Sequence, residues 1–258
     1  MVRMKIIDLS IALENDLPSD PPALIPKIKY LNHKDTAAEM ASYFGKATPE
    51  DLPDGNGWAT ERVTISTHSG THLDAPWHFY PTMNGGERAW TIDEVPLDWC
   101  LGDAVVVDFR DKADGYKVMA KDFEDYFEKI NYRLKDGDII LVMTGADKRW
   151  GAREYLVAGC GMSREATLWL INHGVHVVGT DGWSWDVPLP LIGKEFTETG
   201  NPDVIWEGHR VGREKAYCHI EKLTNLDKLP VTGSKFIGFP VKIKSASGGW
   251  IRAVALVD

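Results

Sequence analysis

The stretch "STHSGTHLDAPWHF", residues 66–79, constrains this chain more than any other. Within eleven positions it places three of the eight histidines and one carboxylate: His68, His72, Asp74 and His78. His68 and His72 are four apart, the spacing of one helix face. Thr67, Gly70, Thr71 and Pro76 all oppose a helix there. Read as extended chain, His68, Gly70, His72, Asp74, Pro76 and His78 share one side. A straight strand would hold His68 and His72 roughly 13 Å apart at the backbone. Two ligands of one metal lie only about 3.4 Å from each other. Convergence therefore demands a bend. Gly70 permits one, and Pro76 redirects the chain and carries His78 off the strand line. The pattern suits a curved loop wrapped around a cation. Two neutral imidazoles and a carboxylate suit Zn, Mn or Fe, with positions left open for water. A lone histidine in a Ser/Thr/Gly loop is usually a plain polar residue; three on one face beside an aspartate read as a metal site.

The rest of the chain supplies the frame. Its 258 residues suffice for one substantial domain, taken as 1–258. Short β-rich runs occur at 5–9, 62–66, 104–109, 138–143, 175–178, 236–243 and 250–257. Three helices are expected. One starts at Thr36, whose spacing to Glu39 makes a capping box, and stops at Gly45. The second sets Phe123, Tyr126, Phe127, Ile130 and Leu134 on one face and stops at Gly137. The third is capped by Ser163 and stops at Gly174. The middle thus alternates strand and helix, while the ends are strand-rich. The fold class is α/β, a mixed sheet with central βαβ crossovers and antiparallel ends. The Pro/Gly-rich segments 31–58 and 181–207 read as pocket-shaping loops.

Composition excludes several functions. A formal net charge of −9, with no Lys/Arg-rich run, disfavours nucleic acid and anionic membranes as partners. No apolar run approaches the ~20 residues of a membrane span, and no signal peptide is evident. A cytoplasmic setting is expected. The three cysteines, Cys100, Cys160 and Cys218, form neither a disulfide framework nor a zinc knuckle. No GxSxG pattern is present, so a serine nucleophile has no support. Adjacent Cys218 and His219 would point to opposite faces of a strand, which argues against their acting as a pair.

"HSGTHLDAPWH" resembles the signature of the metal-dependent cyclase-like hydrolases, His-x-Gly-Thr-His-x-Asp-x-Pro-x-His, a family that includes bacterial kynurenine formamidases and isatin hydrolases. All seven fixed positions are filled: His68, Gly70, Thr71, His72, Asp74, Pro76 and His78. The opening "IIDLSIALENDLPSDP" and the closing "NLDKLPVTGSKFIGFPVKIKSASGGWIRAVALVD" are similar to the family's terminal strands. His209 and Glu221 are twelve apart, as are a His and a Glu that help bind a second metal in the formamidases. The resemblance implies a swivelling β/β/α fold and one or two divalent ions, Zn or Mn. It implies His68, His72 and Asp74 on the first metal, and Asp74, His209 and Glu221 on a second. His78 would then be the acid/base rather than a primary ligand. It further implies a small-molecule substrate, a homodimer or higher homo-oligomer, and metal-dependent hydrolysis of a C–N bond in an aryl formamide or cyclic amide. A lactone hydrolase, a metal-dependent lyase or cyclase, and a catalytically silent metal binder are the alternatives. Trp77, Trp183 and Trp185 are candidates for an aromatic substrate wall. Trp183 and Trp185 are favoured because "DGWSWD" follows a strand end, where α/β sheets bind ligands.

Overall fold

A computed structural model describes residues 4–257. At its centre stand four parallel strands, Leu101–Asp108, Ile139–Met143, Val177–Thr180 and Cys218–Glu221. Their side chains alternate between two apolar layers, which is what a sheet covered on both faces requires. Ala104, Val106, Ile139 and Leu141 enter one layer; Val105, Val107, Ile140 and Val142 enter the other. The helices Ala120–Lys129 and Arg164–Asn172 supply the crossovers and cover the second layer with Phe123, Phe127, Ala166 and Leu170. Ser163 caps the latter helix as expected, accepting from the Ala166 N–H at 3.0 Å.

Antiparallel strands extend the sheet at both ends. On one side Ser234–Ile237, Val254–Val257 and Lys5–Asp8 follow Leu101–Asp108. On the other, Cys218–Glu221 pairs with His72–Asp74, which pairs with Gly248–Trp250. This is the expected mixed α/β sheet with nine strands.

Four local expectations change. Thr36 makes no side-chain cap; its hydroxyl turns to the Trp58 carbonyl and ties two ends of the 31–58 segment together. The run 250–257 divides into two strands at Ile251–Ala253. Segment 181–207 is not all loop, since Leu189–Thr199 is helical with prolines confined to its first turn. Extended backbone covers only His72–Asp74 of the histidine stretch. The single-face reading of 68–78 therefore holds for His72 and Asp74 alone. His68 arrives through a turn and His78 through the short helix Pro76–Phe79.

Candidate metal centre

Strand register builds the site. His219 lies opposite Asp74, and Glu221 opposite His72, across the antiparallel pair. Cross-strand partners on one face sit close enough for their side chains to meet. His219 Nε2 is accordingly 2.9 Å from Asp74 Oδ2 and 3.3 Å from Glu221 Oε1. His72 Nε2 lies 3.3 Å from Asp74 Oδ1 and 3.7 Å from Glu221 Oε2.

The turn before the strand adds His68. Gly70 has φ +66°, and a Cβ there would stand 2.4 Å from Leu13 Cδ2. The bend brings His68 Nδ1 to 2.7 Å from Asp74 Oδ1. Gly248 leaves room for both groups, because a Cβ there would meet His68 Cε1 at 2.8 Å and Asp74 Oδ1 at 3.0 Å. Beyond the strand, Pro76 opens a helical turn that returns His78 to the cluster, with its Nε2 3.9 Å from Asp74 Oδ2. His209, on the 3-10 turn His209–Arg213, faces Glu221 Oε1 at 3.8 Å through Nε2. The stretch and its remote partners thus converge.

Neighbouring groups fix the ring orientations. His72 Nδ1–H donates to the Gly70 carbonyl at 2.8 Å, so Nε2 faces the site with its lone pair. Asp186 holds His209 Nδ1 and also accepts from the Gly208 N–H at 2.6 Å. Such carboxylate–histidine pairs orient and strengthen metal ligands. Trp185 donates its backbone N–H to Glu221 Oε1 at 3.1 Å.

The electrostatics are those of a cation site. Burial works to raise the Asp74 carboxyl, but His78, His72, His219 and His68 outweigh it and hold it well below the usual carboxylate range. Burial likewise opposes ionisation of Glu221, which His219 and its neighbours hold at about 2. Burial alone would depress His219; Asp74 and Glu221 instead raise it to about 9. Two buried carboxylates are therefore ionised and surrounded by nitrogen donors.

Three of the converging atoms, His68 Nδ1, His72 Nε2 and Asp74 Oδ1, are buried, face other donors of the cluster, and make no well-aligned hydrogen bond. Unpaired buried polar atoms are costly, so their convergence marks a place for something that binds them. The donors of Asp74, His209, His219 and Glu221 lie within 4.8 Å of one another, as do those of His68, Asp74 and His78. Asp74 belongs to both sets. This nitrogen and carboxylate set fits a divalent cation of the Zn or Mn type.

His219, to which the sequence assigns no role, joins the cluster. Its adjacency to Cys218 was uninformative, but its i, i+2 relation to Glu221 would have put both on one strand face.

A cavity of about 180 Å³ opens beside these groups, lined among others by His68, His78, Trp183, Trp206, Glu221 and Lys222. Of the three tryptophans expected in its wall, only Trp183 is there. Trp185 is fully buried, its indole N–H donating to Thr167 Oγ1 at 3.0 Å on the core side. Trp77 is 41% exposed and outside the lining, because the helical turn after Pro76 swings it away as it swings His78 inward. Trp206 takes a wall position instead, stacked on His209 with ring centroids 4.3 Å apart. Segment 181–207 thus shapes the cavity, whereas none of residues 31–58 is in its lining.

Comparison with known proteins finds relatives and a shared fold. An isatin hydrolase of Roseibium aggregatum is 27% identical over 213 residues, 79% of this chain and 77% of its own. A kynurenine formamidase of Erythrobacter litoralis is 26% identical over 211 residues, covering 82% and 83%. The solved structure of an isatin hydrolase bound to the product analogue thioisatinate matches with a TM-score of 0.77 at 21% identity, over 98% of this chain and 92% of that one. At that identity the likeness is one of fold. Residues 7–187, well over half of the sequence, match the family described as "Putative cyclase", and the chain belongs to that cyclase family.

Proposed function

We propose that this chain is a metal-dependent amidohydrolase that opens the C–N bond of an aryl formamide or a cyclic amide. The observation that carries the reading is the convergence of buried imidazole and carboxylate donors beside an aromatic-walled cavity. The two relatives described above, an isatin hydrolase and a kynurenine formamidase, support the same reaction class. His68, His72 and Asp74 would hold one divalent ion. Asp74, His209, His219 and Glu221 would hold a second, with Asp74 shared. When bound, such an ion polarises a carbonyl and acidifies water near neutral pH.

The chain's own residues do the rest. His78 borders the cavity, and burial lowers its pKa to about 4, so its ring is neutral at physiological pH. A neutral imidazole there can accept a proton from the attacking water and return it to the leaving nitrogen. Trp183 and Trp206 offer flat faces for an aromatic substrate and exclude water around the carbonyl. The homo-oligomeric state that the family resemblance implies, and the cytoplasmic setting expected from the sequence, belong to this same reading.

His78→Ala separates proton carrier from ligand. Metal content should stay near that of the wild type while turnover of N-formylkynurenine or isatin is abolished. Loss of metal along with turnover would make His78 a ligand, and full activity would end its role altogether. Simple lactones and cyclic imides, tested on apo-protein refilled with Zn or Mn, set the substrate range. Product analysis in isotopically labelled water separates hydrolysis, which incorporates label, from a lyase or cyclase reaction.

A further inference from the structure

Tyr217 stands just behind the donor cluster, and its hydroxyl lies between groups that hold two of the histidines. It is fully buried, directly before the strand Cys218–Glu221, and its i, i+2 relation to His219 puts both rings on one face. The hydroxyl oxygen is 2.9 Å from the Gly208 carbonyl oxygen and 3.4 Å from His219 Nδ1. A tyrosine hydroxyl has one proton to donate and lone pairs to accept with. A carbonyl only accepts, so that proton goes to Gly208. The hydroxyl then faces His219 with a lone pair, and His219 Nδ1–H is the donor.

That assignment decides what His219 offers the cluster. With a proton on Nδ1, the ring is left to present Nε2 as a ligand, where Nε2 lies 2.9 Å from Asp74 Oδ2 and 3.3 Å from Glu221 Oε1. The chain of hydrogen bonds continues beyond the Gly208 carbonyl. The Gly208 N–H donates to Asp186 Oδ1 at 2.6 Å, and Asp186 also holds His209 Nδ1. His209 is thereby set in the same sense, with Nε2 inward and 3.8 Å from Glu221 Oε1. One buried path, from His219 through Tyr217, Gly208 and Asp186 to His209, thus runs behind the cluster and orients both rings. Packing keeps the tyrosine in register: its ring stacks on Phe79 with centroids 4.9 Å apart, and Phe79 stacks on His219 at 4.8 Å.

We infer that Tyr217 is a positioning residue for the ion held by Asp74, His209, His219 and Glu221: its hydroxyl fixes the tautomer of His219 and couples the orientation of that ring to that of His209. This rests on the metal-dependent reading of the site. The hydroxyl touches neither ion nor substrate and acts only through the two histidines.

Tyr217→Phe keeps the ring and its stack and deletes one oxygen. Zinc affinity, measured by competition with a chromogenic chelator and without substrate, should fall about tenfold or more, the usual effect of losing an outer partner of a ligating histidine. In a His219→Ala background the same change should cost several-fold less, because the ring that the hydroxyl sets is gone. A loss of equal size in both backgrounds would make Tyr217 merely structural and overturn the inference. Should Tyr217→Phe not fold, nitrogen-15 histidine spectra of the zinc-loaded wild type decide without it. His219, identified by the signal missing in His219→Ala, should carry its proton on Nδ1 and coordinate through Nε2; a proton on Nε2 overturns the inference. A wild type that binds no zinc ends the metal reading of the site and this inference with it, whereas zinc binding that is indifferent to Tyr217→Phe ends the inference alone.

Discussion

His209 owes its orientation to Asp186. The Asp186 carboxylate bonds the His209 ring at Nδ1 and also collects the backbone N–H groups of Gly208 and His209, at 2.6 and 3.1 Å. One buried carboxylate thus fixes both the turn and the ring that it presents. Asp186→Asn should weaken metal affinity roughly 10- to 100-fold, the usual effect of losing an outer partner of a ligating histidine. Competition with a chelator measures it, and an unchanged affinity would show that His209 does not depend on Asp186. The same scale shows what the sequence could and could not reveal. His68, His72, Asp74 and His78 were legible because they crowd into eleven positions. His209 and Glu221 were legible only through the family's spacing. Asp186 reads from sequence only as a possible supporting or structural group, since a lone charge in a loop does not announce its partner. Trp185 shares "DGWSWD" with Trp183 and so looks equivalent to it in sequence, yet these two tryptophans, two positions apart on this turn, face opposite sides.

Among the elements, the turn at 66–70 decides whether His68 reaches Asp74. Gly70 combines a positive φ with contact against Leu13, so a methyl group there meets both backbone strain and a packed side chain. Gly70→Ala should destabilise the protein by roughly 1–3 kcal/mol. It should also loosen metal binding by displacing His68. Denaturant midpoints together with metal titration check both effects; a stable variant with normal metal content would mean that the turn tolerates another path. The helices were the easiest elements to foresee. Phe123, Tyr126 and Phe127 share a stripe on Ala120–Lys129, and Ser163 supplies a real cap. Cys218–Glu221 is harder, because four residues are too few for the alternation of Cys218 and Ile220 with His219 and Glu221 to stand out. Leu189–Thr199 looks like loop in the sequence because its prolines resemble breakers, although at the first turn of a helix they break nothing.

At the scale of the whole molecule, the site ties distant parts of the chain together. The 66–79 stretch, the His209–Arg213 turn and the Cys218–Glu221 strand each contribute donors, and they meet only in the folded state. In the absence of a cation, the fold must bury the ionised carboxylates of Asp74 and Glu221 close together. His219 compensates by holding a proton between them. A divalent ion would supply that charge more fully and also engage His68 Nδ1 and His72 Nε2, which make no well-aligned hydrogen bond. The unfolded chain cannot assemble this donor set, so metal binding should add directly to folding stability. At a free metal concentration of 100 times Kd the gain is about 2.7 kcal/mol. For a chain of this size that corresponds to a rise in Tm of roughly 5–10 °C. Thermal unfolding across a Zn or Mn titration, and again with excess chelator, measures it. The Tm should climb with the logarithm of metal concentration above Kd, and His219→Ala, by removing a donor, should raise Kd and move the start of the climb to higher metal concentration. A Tm indifferent to both metal and chelator would mean that the converging donors hold no metal.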